Sequence, residues 1–211
     1  TEMENDMNTT ETELTWRETT LLKSRMATSV GSVPTLTFVP AEKVRSGAIV
    51  ALHYMTGSKE VWLNDEHEHV LDYAIANGIP FFAFDLYGHG EWESDDPDFN
   101  TDNIDGEQWV TFVADSAQGI AECITQLCAQ HQIDAEALDF VGYSIGNLIG
   151  VKIIAAGIAA RSFAMGSPVP WSSYDDEYSL HNNTEALADL PLLVLTGKSD
   201  EEVEEGEVAW F

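Results

Sequence analysis

Apolar residues in this chain form short continuous runs that alternate with longer segments of helical spacing. The run at 48–52 is apolar throughout, which is typical of a strand buried on both faces. Two β-prone segments precede it, at 14–23 and 35–39, and are predicted to pair antiparallel. Beyond it the pattern predicts helices at about 65–77, 107–130 and 147–156, and strands at 80–84, 138–141, 162–165 and 192–196. This repeated β-α-β order predicts an α/β fold, with a mostly parallel central sheet and helices on both of its faces.

The predicted domain organisation is simple. Residues 1–13 are polar and acidic with little to bury, and are predicted to form an acidic disordered tail. Residues 14–211 are predicted to form one domain, because no Pro/Gly-rich linker divides them and the length suits a single α/β core. The irregular stretch between the last two predicted strands is too short for a lid domain, so no large cap is expected.

The most informative stretch is Gly142-Tyr143-Ser144-Ile145-Gly146, between a predicted strand and a predicted helix. A serine in such a turn has strained backbone, and glycines two residues to either side relieve crowding against the neighbouring elements. Ser144 is therefore predicted to be a nucleophile. The Ile145 N–H, in the first turn of the helix, is predicted to donate to a developing oxyanion.

Two further motifs follow the first two central strands. They are His53-Tyr54-Met55-Thr56-Gly57-Ser58-Lys59 and Asp85-Leu86-Tyr87-Gly88-His89-Gly90. Together with the serine motif, and in this order, they make the chain resemble the α/β-hydrolase superfamily from about residue 35 to the C-terminus. The resemblance is nearest to its small serine esterase, serine aminopeptidase-like and dienelactone hydrolase-like branches. It implies the α/β-hydrolase fold and acyl transfer through a serine.

The resemblance also implies roles for residues in the first of these loops. By position, the second oxyanion N–H is carried over onto Met55. Tyr54 stands where the family has glycine, so its side chain strains the loop if a positive φ is required there. His53 and His89 are expected to orient their own loops through local hydrogen bonds, and neither is expected to abstract a proton.

The acid and the base of a triad are expected late in the chain. Asp200 follows the predicted strand 192–196 and a glycine turn, and is expected to orient the catalytic imidazole, with Asp175 and Asp176 in reserve. In the superfamily the histidine follows the acid. No histidine follows Asp200, so the last strand and helix are expected to be missing from a C-terminally incomplete chain. The alternatives are His181 as a relocated base, or a fold that binds a small ligand without turning it over.

The expected reaction is cleavage of a small carboxylic ester through an acyl-serine, without a cofactor; a peptidase-type acyl transfer would use the same motif. Trp171 is the best sequence candidate for lining an acyl pocket.

No metal site is indicated. The two histidines of Glu66-His67-Glu68-His69 would fall on different faces of a helix, and the acidic loop 95–106 lacks the glycine that an EF-hand loop needs.

The charge balance narrows the choice of partners. The formal net charge is −28, from 37 acidic and 9 basic residues, so nucleic acids and anionic membranes would repel the chain. Such acidity favours adaptation to high salt.

Cys123 and Cys128 fall on different faces of a predicted helix and are expected to be free thiols. The first residues lack the basic start and apolar run of a signal peptide. A cytoplasmic protein acting on a small-molecule ester is expected.

Overall fold

A single mixed sheet runs through the computed structural model, which describes residues 11–101, 104–169 and 179–196. Its strands are β1 (Thr12–Trp16), β2 (Thr19–Thr28), β3 (Gly31–Phe38), β4 (Ile49–Leu52), β5 (Phe81–Phe84), β6 (Asp139–Tyr143), β7 (Ser162–Gly166) and β8 (Leu192–Leu195). Their spatial order is β1-β2-β3-β5-β4-β6-β7-β8. The pairs from β1 to β5 are antiparallel, and every pair from β5 to β8 is parallel. The predicted mostly parallel sheet is confirmed.

Helices cover both faces of the sheet. They are α1 (Glu68–Ala76), α2 (Gly106–His131) and α3 (Ile145–Ala155), with short 3₁₀ helices at Lys59–Leu63 and His181–Leu187. The first residues of α2 are fixed by a capping box, in which Asp105 and Gln108 each bond the other's backbone N–H. The predicted start of α1 at 65 is wrong by three residues, because the N–H groups of His67 and Glu68 both donate to Asn64 O in a turn.

The predicted β-prone segment 14–23 does form β structure and does pair antiparallel with the segment that follows it, but a turn divides it into a β-hairpin made by β1 and β2. Arg17 and Glu18 form its turn, with φ of 44° and 69°, and a turn with two positive φ values matches the right-handed twist of paired strands. The residues usual in such turns are Asn and Gly, so Arg-Glu gave no signal. The guanidinium of Arg17 bonds Glu68 and Asp72 on α1 at 2.6 and 2.5 Å, which ties the hairpin to the helix.

Two apolar clusters lie on opposite faces of the sheet. The larger packs α2 and α3 against residues such as Val50 and Phe82, and the smaller packs α1 against Ile49 and Phe81. The α1 face is covered unevenly. On β8, Leu193 and Leu195 point to that face and are 54% and 57% exposed. Within the described residues, the sheet therefore presents an open apolar strip on β8.

Within the described ranges, the helices lack the combination of length and hydropathy that a membrane span requires.

Candidate active site

Ser144 stands at the junction of β6 and α3 with φ 51° and ψ −117°. This positive φ is uncommon for a residue other than glycine and is costly. The Ser144 N–H donates to Gly166 O at the end of β7 (2.9 Å), so the turn is anchored to the neighbouring strand. We call residues 142–146 the serine turn. The strand–turn–helix context predicted for Ser144 is present in the structure.

Both glycines of the serine turn are required by close contacts. A Cβ on Gly146 would lie 2.4 Å from Leu52 O and 2.7 Å from His53 O, both backbone atoms at the end of β4. A Cβ on Gly142 would lie 2.7 Å from the side chain of Asn147. Real Cβ atoms do not approach so closely, so helix α3 can pack against β4 only because position 146 has no side chain.

Ile145 is the first residue of α3 and its side chain is buried. Its N–H is one of the four at a helix N-terminus that have no acceptor within the helix. The helix dipole adds positive potential at this point. Because the peptide plane also contains the carbonyl of Ser144, the direction of this N–H is set by whatever holds that carbonyl.

Met55 lies in the loop that follows β4, and we call residues 53–59 the β4 loop. The Gly57 N–H donates to Tyr54 O (3.0 Å), which closes a turn with Met55 and Thr56 at its centre. Thr56 has the positive φ, 65°, and Tyr54 does not. The strain that the sequence suggested for Tyr54 is therefore located two residues later. Gly146, in the first turn of helix α3, packs against the backbone of Leu52 and His53 at the end of β4, so the β4 loop and the serine turn share one end of the sheet.

His53 is completely buried beneath the β4 loop. The Leu86 N–H donates to its Nε2 (3.0 Å), so Nδ1 carries the ring proton and donates to Tyr54 O (2.7 Å). Burial, together with the charge of the nearby His89, lowers the pKa of His53 to about 3. A neutral ring with both nitrogens bonded cannot accept a serine proton. The structure therefore gives His53 the arrangement expected of a loop-orienting residue.

The other described histidines also lack a bond to Ser144. His89 is buried and its Nδ1 bonds Tyr87 O (2.9 Å), while burial lowers its pKa. His67 packs its ring 5.0 Å from that of Tyr143. His131 ends α2 at the opposite end of the sheet. Among the histidines whose side chains the structure describes, none hydrogen-bonds Ser144 Oγ.

An ion pair that the sequence analysis missed anchors the far end of the β4 loop. Lys59 and Asp85 both have side chains that are 0% exposed, with Lys59 Nζ 2.9 Å from Asp85 Oδ2. Asp85 also accepts the N–H groups of Lys59 (2.7 Å) and Glu91 (2.8 Å). Although burial opposes its charge, the bond and charge of Asp85 hold the pKa of Lys59 above its ordinary value. The sequence signal was limited to the places of Lys59 and Asp85 in the two loop motifs, and a loop lysine is normally a surface residue.

Carboxylates surround this buried pair at its solvent side. Lys59 Nζ also lies 3.2 Å from Glu60 and 3.5 Å from Glu91, and Lys23 bonds Glu60 at 2.6 Å. Burial alone would raise the pKa of Glu60, but hydrogen bonds from Lys23 and Ser58 and the charge of Lys59 lower it to about 2. The network joins β2, the β4 loop and the loop after β5 into one charged cluster.

Several predicted site residues lie outside the described residues: Asp200, its reserves Asp175 and Asp176, and Trp171. His181 begins the 3₁₀ helix His181–Leu187, but its side chain is not among the described ones. The same helix contacts α3, where Lys152 donates to Asn183 (3.4 Å).

A groove of about 410 Å³ opens beside the serine turn on the α1 face. Its walls are mostly apolar and aromatic, and include Trp62, His67, Val70, Tyr143, Ala164 and Leu195. In the parts of the chain that the structure describes, no group of three or more His, Cys, Asp or Glu residues is placed to ligate a metal.

No family model matches the chain, and no curated protein matches its sequence. Solved structures, in contrast, include proteins of similar architecture. Among solved structures, a cold-adapted esterase from an Arctic intertidal metagenomic library has a TM-score of 0.60 at 18% identity, over 88% of each chain. An esterase of Pyrococcus furiosus has a TM-score of 0.61 at 15% identity, over 95% of this chain and 74% of that one.

A protein of Agrobacterium tumefaciens, provisionally assigned as an α/β hydrolase, has a TM-score of 0.61 at 17% identity, over 89% of this chain and 75% of that one. At such identities a likeness shows the fold and not the activity. The strand order and the strand–turn–helix at Ser144 agree with that likeness, and this chain has the α/β-hydrolase fold.

Proposed function

We propose that this chain is a serine hydrolase that cleaves a small carboxylic ester through an acyl-serine intermediate. The observation that carries the proposal is the strained backbone of Ser144, φ 51° and ψ −117°, between β6 and α3. Strain of this kind persists where the surrounding structure enforces it, and it clusters at functional sites. Esterases among the similar solved structures support an ester as the substrate.

Each residue has a defined role in this proposal. Ser144 Oγ attacks the ester carbonyl, and the N–H groups of Ile145 and Met55 hold the oxyanion. Asp200 orients a histidine that takes the serine proton and returns it to the leaving alcohol. Water then attacks the acyl-serine, and its proton follows the same route back. These steps require no cofactor.

The base cannot be His53 or His89, because both are buried and bonded to their own loops. Within the printed sequence, His181 is the histidine whose side chain lies outside the described ones. It is therefore the first variant to test as a base.

A noncatalytic binding protein on the same fold is the second candidate. It is favoured by one observation: within the described residues, no histidine is bonded to Ser144. A serine hydroxyl without a base stays weakly nucleophilic at neutral pH.

The test is hydrolysis of p-nitrophenyl acetate by the full chain and by Ser144→Ala, His181→Gln and Ser162→Ala. Ser162 lies at the opposite end of β7 and bonds Asp139, so it is a matched serine control. Ser144→Ala is expected to lose activity by roughly three orders of magnitude or more, and Ser162→Ala to keep it. An unchanged rate in Ser144→Ala overturns the nucleophile. A folded wild-type chain that does not hydrolyse p-nitrophenyl acetate contradicts a base within the printed sequence and favours the binding protein.

A further inference from the structure

We infer that Asn147 is a positioning residue, whose buried amide aims the oxyanion donor of Ile145 by fixing the carbonyl of Ser144. The inference rests on the proposed function, because it concerns the same serine. Asn147 does not touch the reacting atoms; it acts through the peptide group that joins Ser144 to Ile145.

The contacts of Asn147 hold the serine turn against β7. Its side chain is fully buried, and Nδ2 donates to both Ser144 O and Gly166 O at 2.9 Å. The same two carbonyls accept backbone bonds, from Asn147 N (3.0 Å) and Ser144 N (2.9 Å) respectively. One side-chain amide therefore bridges the serine turn and the end of the neighbouring strand.

The two donors on Ser144 O have a direct consequence for the oxyanion site. A peptide group is planar, so its C=O and N–H point in opposite directions. Fixing Ser144 O toward Asn147 therefore fixes the Ile145 N–H on the other side of the plane. Because Ser144 occupies a strained φ and ψ, this plane would relax if its carbonyl lost a donor.

The Asn147 amide is retained although its buried oxygen lacks a hydrogen bond. Asn147 Oδ1 is buried and has no hydrogen-bond partner among the described residues, which is costly for an amide oxygen. The amide cannot be rotated to relieve it, since Oδ1 would then face two carbonyl oxygens. The space beside Oδ1 also depends on Gly142, where a Cβ would lie 2.7 Å away. The two donated bonds, and not packing alone, account for an asparagine at this position.

The kinetic test uses p-nitrophenyl acetate with Asn147→Ala, Asn147→Ser and the control Ser162→Ala. An oxyanion donor acts mainly in the transition state, so a misaimed donor lowers kcat and leaves KM almost unchanged. We expect kcat to fall about tenfold in Asn147→Ala, and less in Asn147→Ser, which keeps one donor. Equal kcat in Asn147→Ala and the control, or a rise in KM alone, would overturn the inference.

A second measurement does not depend on activity. Amide hydrogen exchange by NMR is measured in the same variants for Ser144 and Asn147, whose N–H groups donate to Gly166 O and Ser144 O. We expect these amides to exchange faster in Asn147→Ala than the change in global stability explains, and to be unaffected in Ser162→Ala. If the wild-type chain hydrolyses no ester, the proposed function fails and exchange alone decides the role of Asn147. Unchanged protection in both Asn147 variants contradicts that role, and Asn147→Ser serves if the alanine variant does not fold.

Discussion

The serine turn and the β4 loop lie side by side, and each holds a strained residue, but they are anchored by different chemistry. Neutral groups hold Ser144: two glycines, the Asn147 amide and the carbonyl of Gly166. Ionised and titratable groups hold the β4 loop, through the buried Lys59–Asp85 pair and the ring of His53. The turn should therefore be sensitive to volume, and the loop to charge and pH.

The two anchors also use different neighbours. The serine turn is fastened to β7, whereas the β4 loop is fastened to the loop after β5 by the bonds from Leu86 to His53 and from Lys59 to Asp85. The two proposed oxyanion donors are thus positioned independently, from opposite sides of the site. Damage to one anchor need not disturb the other.

The largest expected effect is on the charged anchor of the loop. Lys59→Met leaves Asp85 buried without its cation, and breaking a buried pair in this way costs about 3–5 kcal/mol of unfolding free energy. Lys23→Met is the matched control, because Lys23 is partly exposed and its pair with Glu60 should contribute about 1 kcal/mol or less. Urea unfolding measures both. Equally small losses would show that the loop is not held by its charge.

The next effect is a loss of stability in mild acid. The folded pKa of His53, about 3, lies below its unfolded value of about 6.5, so the unfolded chain binds this proton first. The contribution of His53 to the free energy of unfolding is therefore fully present above about pH 6.5. It is lost as the pH decreases, by roughly 2–3 kcal/mol between about pH 6 and 4. His53→Gln keeps an acceptor for Leu86 N–H and does not titrate. Its stability should vary less over this range, and an identical pH profile would contradict the assignment.

A smaller loss is expected from added volume in the serine turn. Gly146→Ala puts a methyl group against Leu52 O, and overpacking of this kind costs about 1–3 kcal/mol. Gly106→Ala is the control, since a Cβ there meets no atom within 4 Å and alanine favours a helix. Thermal unfolding should rank the first variant below wild type and the second at or above it. The opposite order would mean that α3 does not pack on β4 as described.

The smallest effect is a gain of stability in the β4 loop. Thr56 holds a φ of 65°, so Thr56→Gly removes the strain and should stabilise the chain by about 0.5–1 kcal/mol. Tyr54→Gly should destabilise it, because Tyr54 lacks a positive φ and its ring packs against Tyr143. If Tyr54→Gly stabilised the chain instead, the backbone strain would lie at Tyr54, the position that the sequence suggested.

The contrast between the serine turn and the β4 loop also explains which features could be predicted from the sequence. The sheet and the serine turn were predictable, because apolar runs indicate buried strands and the two glycines indicate positions where a side chain would clash with neighbouring elements. The burial of Lys59 was not, since it depends on Asp85, which is 26 residues away and on another strand end. Asn147 was likewise missed, because its partner Gly166 is distant in sequence. The hairpin at Arg17 and the strain at Thr56 were missed because neither position has the usual glycine or asparagine.

The residues of the proposed active site fall into two groups for the same reason. Ser144 and Ile145 are defined by a local turn and lie where the motif predicts. Asp200 lies outside the described residues, as does the side chain of His181. Their roles remain predictions from position in the chain.

The most direct test of the central claim, that Ser144 is an activated nucleophile, is covalent labelling of the full chain with a fluorophosphonate, followed by intact mass and peptide mapping. The account predicts one adduct per chain, on Ser144, and none on Ser144→Ala under the same conditions. A demonstrably folded chain that takes no label at low or high salt, or one that is labelled equally without Ser144, would contradict it.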